Sequence, residues 1–176
     1  MRRSPRRWWC RHFWAAHLPW LLQIAGLTPA GAIAAAALVG PAQVAARLLE
    51  FSLLKRSHPL LSAKLAVVAH PIGALGVMTL GAPLATLFVL LHGGGNGILT
   101  IAKGTLPLAI FGPHGYGLRQ GVLMVPTRFG QALAPLVFAL LIERFGTQAL
   151  LFSSVLGLAA LVALLFLQTH AMKEAT

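Results

Sequence analysis

The sequence predicts an all-α membrane protein, and three observations carry the prediction. Five apolar stretches, at residues 30–51, 63–80, 84–103, 118–142 and 148–168, fill most of the 176 positions. Each comes close to the about 20 helical residues that a hydrocarbon core about 30 Å thick requires. Hydrophobic residues make up 57% of the chain and charged residues 10%; a water-facing surface of ordinary chemistry needs about 25% charged residues. The few charges fall mainly between the apolar stretches. In lipid each backbone N–H and C=O must be paired within its own segment, so these stretches are expected to be helices.

The net charge of +11 does not make a nucleic-acid reader, which gathers its cations on one folded face. Arg2, Arg3, Arg6, Arg7 and Arg11 form a short head, and most other cations sit between apolar stretches. Their sidedness follows the positive-inside rule. Lys55, Arg56, Lys64, Lys103, Arg119 and Lys173 fall on one set of connections and ends, and only Arg144 on the other: six cations against one. The first set, with the C-terminus, is assigned to the cytoplasm. One cysteine, Cys10, rules out an internal disulfide, and the scattered His, Cys, Asp and Glu show no metal-ligand spacing.

Residues 1–16 form a basic, Trp-rich head, with Trp8, Trp9 and Trp14 among its five arginines. The apolar stretch Trp8–Ala25 that begins within it is broken by Arg11, His12, His17, Pro19 and Gln23. Charged and polar interruptions of this kind are costly within a span. An interfacial helix, a signal peptide and the remnant of a longer span stay open for it.

Polar residues inside the spans mark the candidate sites. Gly40, Gln43, Arg47 and Glu50 recur at helical spacing and share a face. Arg47 and Glu50 are expected to pair at i,i+3, either capping a packing face or locking a conformation. The neighbouring Gly31, Ala32, Ala35 and Ala36 offer a flank for close helix approach. His70 precedes Pro71 near the middle of its span, which predicts a kink. Its imidazole is a candidate proton-coupling group.

The next span carries Gly93, Gly94, Gly95 and Gly97 around Asn96. Either the helix is interrupted beside a substrate, or Gly93 and Gly97 admit a neighbouring helix. His92, Asn96, Thr100 and Lys103 lie on one face by spacing. Arg128 lies near the centre of stretch 118–142, with Gln131 one turn on and Pro126 and Pro135 on either side. A cation there must face a cavity, carbonyls of another helix, or Glu50; in a cavity it suits an anionic substrate. His92, Asn96, Arg128 and Gln131 are the candidate substrate-binding residues. Stretch 148–168, interrupted only by Ser153 and Ser154, is expected to pack and face lipid.

Three passages together resemble the C-terminal half of a bacterial major facilitator superfamily transporter. They are Gly40-Pro-Ala-Gln-Val-Ala-Ala-Arg47-Leu-Leu-Glu50 with its basic loop, Leu91-His-Gly-Gly-Gly-Asn96-Gly through Pro107, and Phe111-Gly-Pro-His-Gly-Tyr-Gly117. The resemblance covers residues 17–168. It implies that the five apolar stretches are helices eight to twelve and that the broken first segment is the end of helix seven. Residues 17–170 then form a half-domain and 171–176 a cytoplasmic tail. Arg47 maps to an arginine that helps hold one closed state in that family, with Ala46 where the family carries an acid.

The resemblance implies alternating-access transport of a small molecule or ion across a bacterial inner membrane, with no cofactor. A complete member has two such halves with substrate between them. The missing N-terminal half or a second copy is therefore an expected partner beside the lipid bilayer. The other open reading is a truncated fragment, inert alone or dependent on assembly. No Ser–His pair, paired carboxylates or His-rich motif supplies intramembrane catalysis, so an enzyme is not expected.

Overall fold

The computed structural model describes residues 17–54 and 58–173, and among them every regular element is helical. The basic head 1–16, with its three tryptophans, lies outside the described residues. In chain order the α-helices are α1 (His17–Ile24), α2 (Pro29–Ala37), α3 (Val39–Leu49), α4 (Pro59–Leu80), α5 (Ala85–Phe111), α6 (Tyr116–Phe145) and α7 (Ala149–Lys173). A π-helical segment, Glu50–Leu54, follows α3, and 3₁₀ turns at Ala82–Leu84 and Gly146–Gln148 lead into α5 and α7.

Four helical stretches are long and apolar enough to cross a membrane: Pro29–Ser52, Pro59–Leu80, Ala82–Phe111 and Tyr116–Leu167. The last holds 52 residues, about 78 Å of helix, more than twice a hydrocarbon core. Gly146, with φ +58°, interrupts it between α6 and α7. The two final apolar stretches of the sequence are therefore separate α-helices joined by a tight turn.

Local chemistry accounts for the boundaries. Thr28 caps α2, its hydroxyl accepting from the Gly31 N–H at 3.1 Å, and Pro29 fills the first helical position, where a missing N–H is harmless. His58 does the same for α4, its Nδ1 accepting from the Leu60 N–H at 3.2 Å ahead of Pro59. That cap starts α4 four residues before the apolar stretch begins. Pro41 cannot donate to the Ala37 carbonyl, and the chain breaks between α2 and α3 at Leu38.

α5 takes the unbroken one of the two readings left open at its glycines and ends later than the apolar stretch. It runs unbroken through the glycine cluster and on past Pro107 to Phe111. Pro107 strips the Lys103 carbonyl of its usual donor, and Gln120 Nε2 from α6 donates to that oxygen at 3.0 Å. Arg119 Nη1 donates to Phe111 O at 2.7 Å and Tyr116 Oη to Gly104 O at 3.0 Å. Three side chains from the first turns of α6 thus secure the end of α5. Lys103, expected in a loop, lies two turns inside the helix and leaves the tally of connection charges.

The glycines of α5 are contact surfaces rather than breaks. A Cβ on Gly93 would stand 2.9 Å from Val39 O, and one on Gly97 2.6 Å from Gln43 O, both on α3. A Cβ on Gly95 would meet Ala66 O of α4 at 2.7 Å. α5 therefore packs closely between α3 and α4, and α7 packs on the far side of α4. There Gly157 faces Pro71 and the Val67 carbonyl that Pro71 leaves without its donor. α4 remains one helix through Pro71.

The core joins α1 to the rest. Leu21 and Leu22 are buried with Ala32, Ala35, Ala74, Val77, Phe88, Val89, Ile142 and Leu150. The described part of the broken first segment is thus a short helix that buries Leu21 and Leu22 in this core. α6 is the least covered, with Ile142 its one buried residue. Along it Leu118, Val122, Val125, Phe129, Leu133, Leu136 and Leu140 are all exposed. Their spacing of three and four puts them in one stripe. The other side of α6 carries Met124, Thr127, Arg128, Gln131, Pro135 and Phe138.

Candidate functional site

The side of α6 opposite its apolar stripe borders a cavity of about 700 Å³ that α4 and α5 also line. Its walls come from α1, α4, α5, α6 and α7 and are mostly apolar: Leu21, Val67, Phe88, Leu99, Phe138 and Leu156 among others. Among the described residues its polar side chains are His17, His70, His92, Asn96, Gln131 and Ser153, and none that lines it is charged.

Two histidines organise one wall. His70 Nδ1 lies 3.0 Å from His92 Nδ1, and His70 Nε2 lies 2.8 Å from Ser153 Oγ. Ser153 Oγ donates to the Leu150 carbonyl at 3.0 Å, as a hydroxyl in an apolar helix commonly does. With its one proton so placed, Ser153 accepts from His70 Nε2–H. His70 Nδ1 then accepts from His92 Nδ1–H. The chain of donors runs His92, His70, Ser153, Leu150, and leaves Nε2 of His92 as an acceptor. Phe88 stacks on His92 with centroids 5.8 Å apart and planes inclined by 29°; it meets His70 at 5.7 Å.

A second, smaller cavity of about 260 Å³ adjoins the first. Asn96 and Gln131 line both. Thr100, Lys103, Met124, Thr127 and Arg128 complete the smaller one. Arg128 Nη1 donates to Gln131 Oε1 at 3.2 Å. The hydroxyls of Thr100 and Thr127 donate to the Asn96 and Leu123 carbonyls within their own helices. The pocket's spare donors are then the Lys103 ammonium, the Arg128 guanidinium and the side-chain amides of Asn96 and Gln131. Among the described residues no carboxylate lines it.

Of the expected substrate-binding residues, His92, Asn96 and Gln131 line the large cavity, and Arg128 shares the small one with Asn96 and Gln131. Arg128 thus faces a cavity rather than Glu50. His70, expected as a proton-coupling group, sits in the same wall as His92. Gln43 places its backbone against Gly97 in the α3–α5 contact.

The expected Arg47–Glu50 pair is absent. Arg47 Nε and Glu50 Oε2 are each buried without a partner. The backbone between them is still α-helical, the Glu50 N–H reaching the Ala46 and Arg47 carbonyls before the π-helical segment runs on to Leu54, so the i,i+3 spacing is kept and the two side chains do not meet. Ser153 and His17 were not among the expected site residues: two adjacent serines in an apolar helix and one histidine in a broken segment give no periodic signal. Among the described residues no group of three His, Cys, Asp or Glu could hold a metal. No protein-family model, no curated protein and no solved structure matches this chain.

Proposed function

We propose that this chain is a membrane-embedded half-bundle of the major facilitator type, carrying a small solute by alternating access through the cavity between α4, α5, α6 and α7. One observation carries the reading: a cavity of about 700 Å³ lined by six polar side chains, five of them within helices of membrane-spanning length. Few convergent polar groups in a mostly apolar cavity describe small-molecule sites generally. Polar groups within a span are expensive to keep. Gln43, Arg47 and Glu50 on the outer side of α5 are the proposed conformational lock. A bacterial inner membrane with a cytoplasmic C-terminus is the proposed setting.

The test is whole-cell accumulation of a panel of labelled organic solutes. Cells making the chain are compared with cells making Ala134→Trp, which fills the cavity. At least one solute should accumulate differently with the native chain, and the difference should vanish in the variant while membrane insertion persists. If no solute separates the two strains, the carrier reading fails.

The apolar stripe on α6 favours a second reading. A helix with one buried residue gains little from its own bundle, and in a soluble protein so large a patch marks an interaction surface. Lipid alone can cover it; so can an N-terminal half or a second copy, which would make transport depend on assembly. Mass measurement in detergent separates a monomer from a dimer.

A further inference from the structure

We propose that the two adjoining cavities form one binding site for an amphipathic anion. Its apolar body lies in the large cavity and its carboxylate, sulfonate or phosphate head between Lys103 and Arg128. This names the substrate class and rests on the carrier reading.

The placement follows from the antiparallel run of α5 against α6. Along α5 the lining residues are Phe88, His92, Asn96, Leu99, Thr100 and Lys103, a single face that changes from aromatic to cationic. Along α6 the order reverses, from Phe138 and Pro135 through Gln131 to Arg128 and Met124. Apolar end therefore meets apolar end, and the two cations come together. From His92 to Lys103 the helix advances about 16 Å, enough for a head and a body of two fused rings or a medium-length chain.

Charge decides the sign of the head. The smaller cavity holds two cations and amide donors but no acid. The chain has three acidic residues; Glu50 lies on the π-helical segment and Glu143 at the far end of α6, and Glu174 lies outside the described residues. A guanidinium and an ammonium suit a planar or tetrahedral oxyanion. A cationic head would meet like charge, and a neutral head would leave both cations without an anion. The described lining of the larger cavity is uncharged, which suits an uncharged body. Its His92 Nε2 acceptor and Asn96 admit at most a few hydrogen bonds.

The test is equilibrium dialysis of the full chain in lipid nanodiscs against three probes of one shape: 1-naphthylacetate, 2-(1-naphthyl)ethanol and 2-(1-naphthyl)ethylammonium. Empty discs supply the background. The anion should bind at least ten-fold more tightly than the alcohol, and the ammonium ion should not bind above background. Arg128→Gln and Lys103→Gln should each weaken the anion about ten-fold and leave the alcohol within two-fold.

Equal binding of anion and alcohol, or tighter binding of the ammonium ion, overturns the proposal. That comparison needs no variant, so a misfolded Arg128→Gln leaves it decisive. Discs of phosphatidylcholine with and without phosphatidylglycerol distinguish the source of the head. Loss of naphthylacetate binding in phosphatidylglycerol identifies a lipid headgroup as the anion; unchanged binding identifies a soluble one. Charge-selective binding without any transport removes the carrier reading and keeps the site. Transport without charge selectivity does the reverse.

Discussion

The Nδ1 atoms of His70 and His92 stand 3.0 Å apart, so one proton lies between two rings that belong to different helices. Only one of the two can carry its proton on Nδ1. His70 spends its other nitrogen on Ser153 of α7, which ties three helices through one hydrogen-bond chain. In apolar surroundings such a chain matters most when a link is missing, because the remaining donor cannot turn to water.

Ser153→Ala should therefore cost about 1–3 kcal/mol, the cost of a buried donor left unmade. His70→Ala should cost more, since it breaks both links. Denaturant unfolding in detergent, run as a double-mutant cycle on these two positions, should give a coupling of about 0.5–3 kcal/mol. Strictly additive losses would mean that the His70–Ser153 contact contributes nothing.

The glycines divide into two groups with opposite expected signs. Gly97→Ala brings a Cβ to 2.6 Å from the Gln43 carbonyl and should destabilise by about 1–3 kcal/mol through overpacking. Gly130→Ala on α6 meets nothing within 4 Å and should stabilise by up to about 1 kcal/mol. Thermal melts of the two variants under one condition provide the check. Similar shifts in both would undo the proposed α3–α5 contact.

Gln120 is expected to matter because of Pro107. Gln120→Ala leaves the Lys103 carbonyl without either donor and should cost about 1 kcal/mol. In a Pro107→Ala background the restored N–H can reach that carbonyl, and the same change should then cost almost nothing. A Gln120→Ala loss that persists undiminished in that background would assign the side chain another role.

Glu50 offers a contrast with a salt bridge. Its Oε2 is buried without a partner, so Glu50→Gln removes a poorly solvated charge and breaks no ion pair. Stability should hold or rise, whereas breaking a buried pair costs about 3–5 kcal/mol. A loss of that size on unfolding would restore the pairing with Arg47.

The long helices were legible because the energy that defines them is local. Transfer of about 20 apolar residues into lipid needs no knowledge of neighbours, and α4, α5, α6 and α7 all follow such runs. Caps moved the edges: His58 and Pro59 lengthened α4 by a signal weaker than Ser or Asp would give. The end of α5 was not legible. Pro107 reads as a stop until Gln120, 17 residues along the chain from the Lys103 carbonyl it caps, supplies what the proline removes.

The site shows the same division. His92, Asn96 and Lys103 share a face by spacing alone, and Arg128 with Gln131 follows from the next helix. Their meeting depends on how α5 and α6 are set side by side. Ser153 could not be found in advance, because its only distinction is where α7 lies along α4. The Arg47–Glu50 pairing did not form although the helical spacing between them is intact: spacing places two side chains on one face and does not fix where they point.

The central claim is a solute-accessible cavity inside a lipid-covered bundle. Single cysteines on a Cys10→Ser background, treated in sealed vesicles with a membrane-impermeant thiol reagent, test it most directly. Ala134→Cys, in the cavity wall, should be modified readily, and Leu136→Cys, on the exposed stripe, should stay unmodified in the bilayer. Rapid modification of Leu136→Cys with an inert Ala134→Cys would contradict the account.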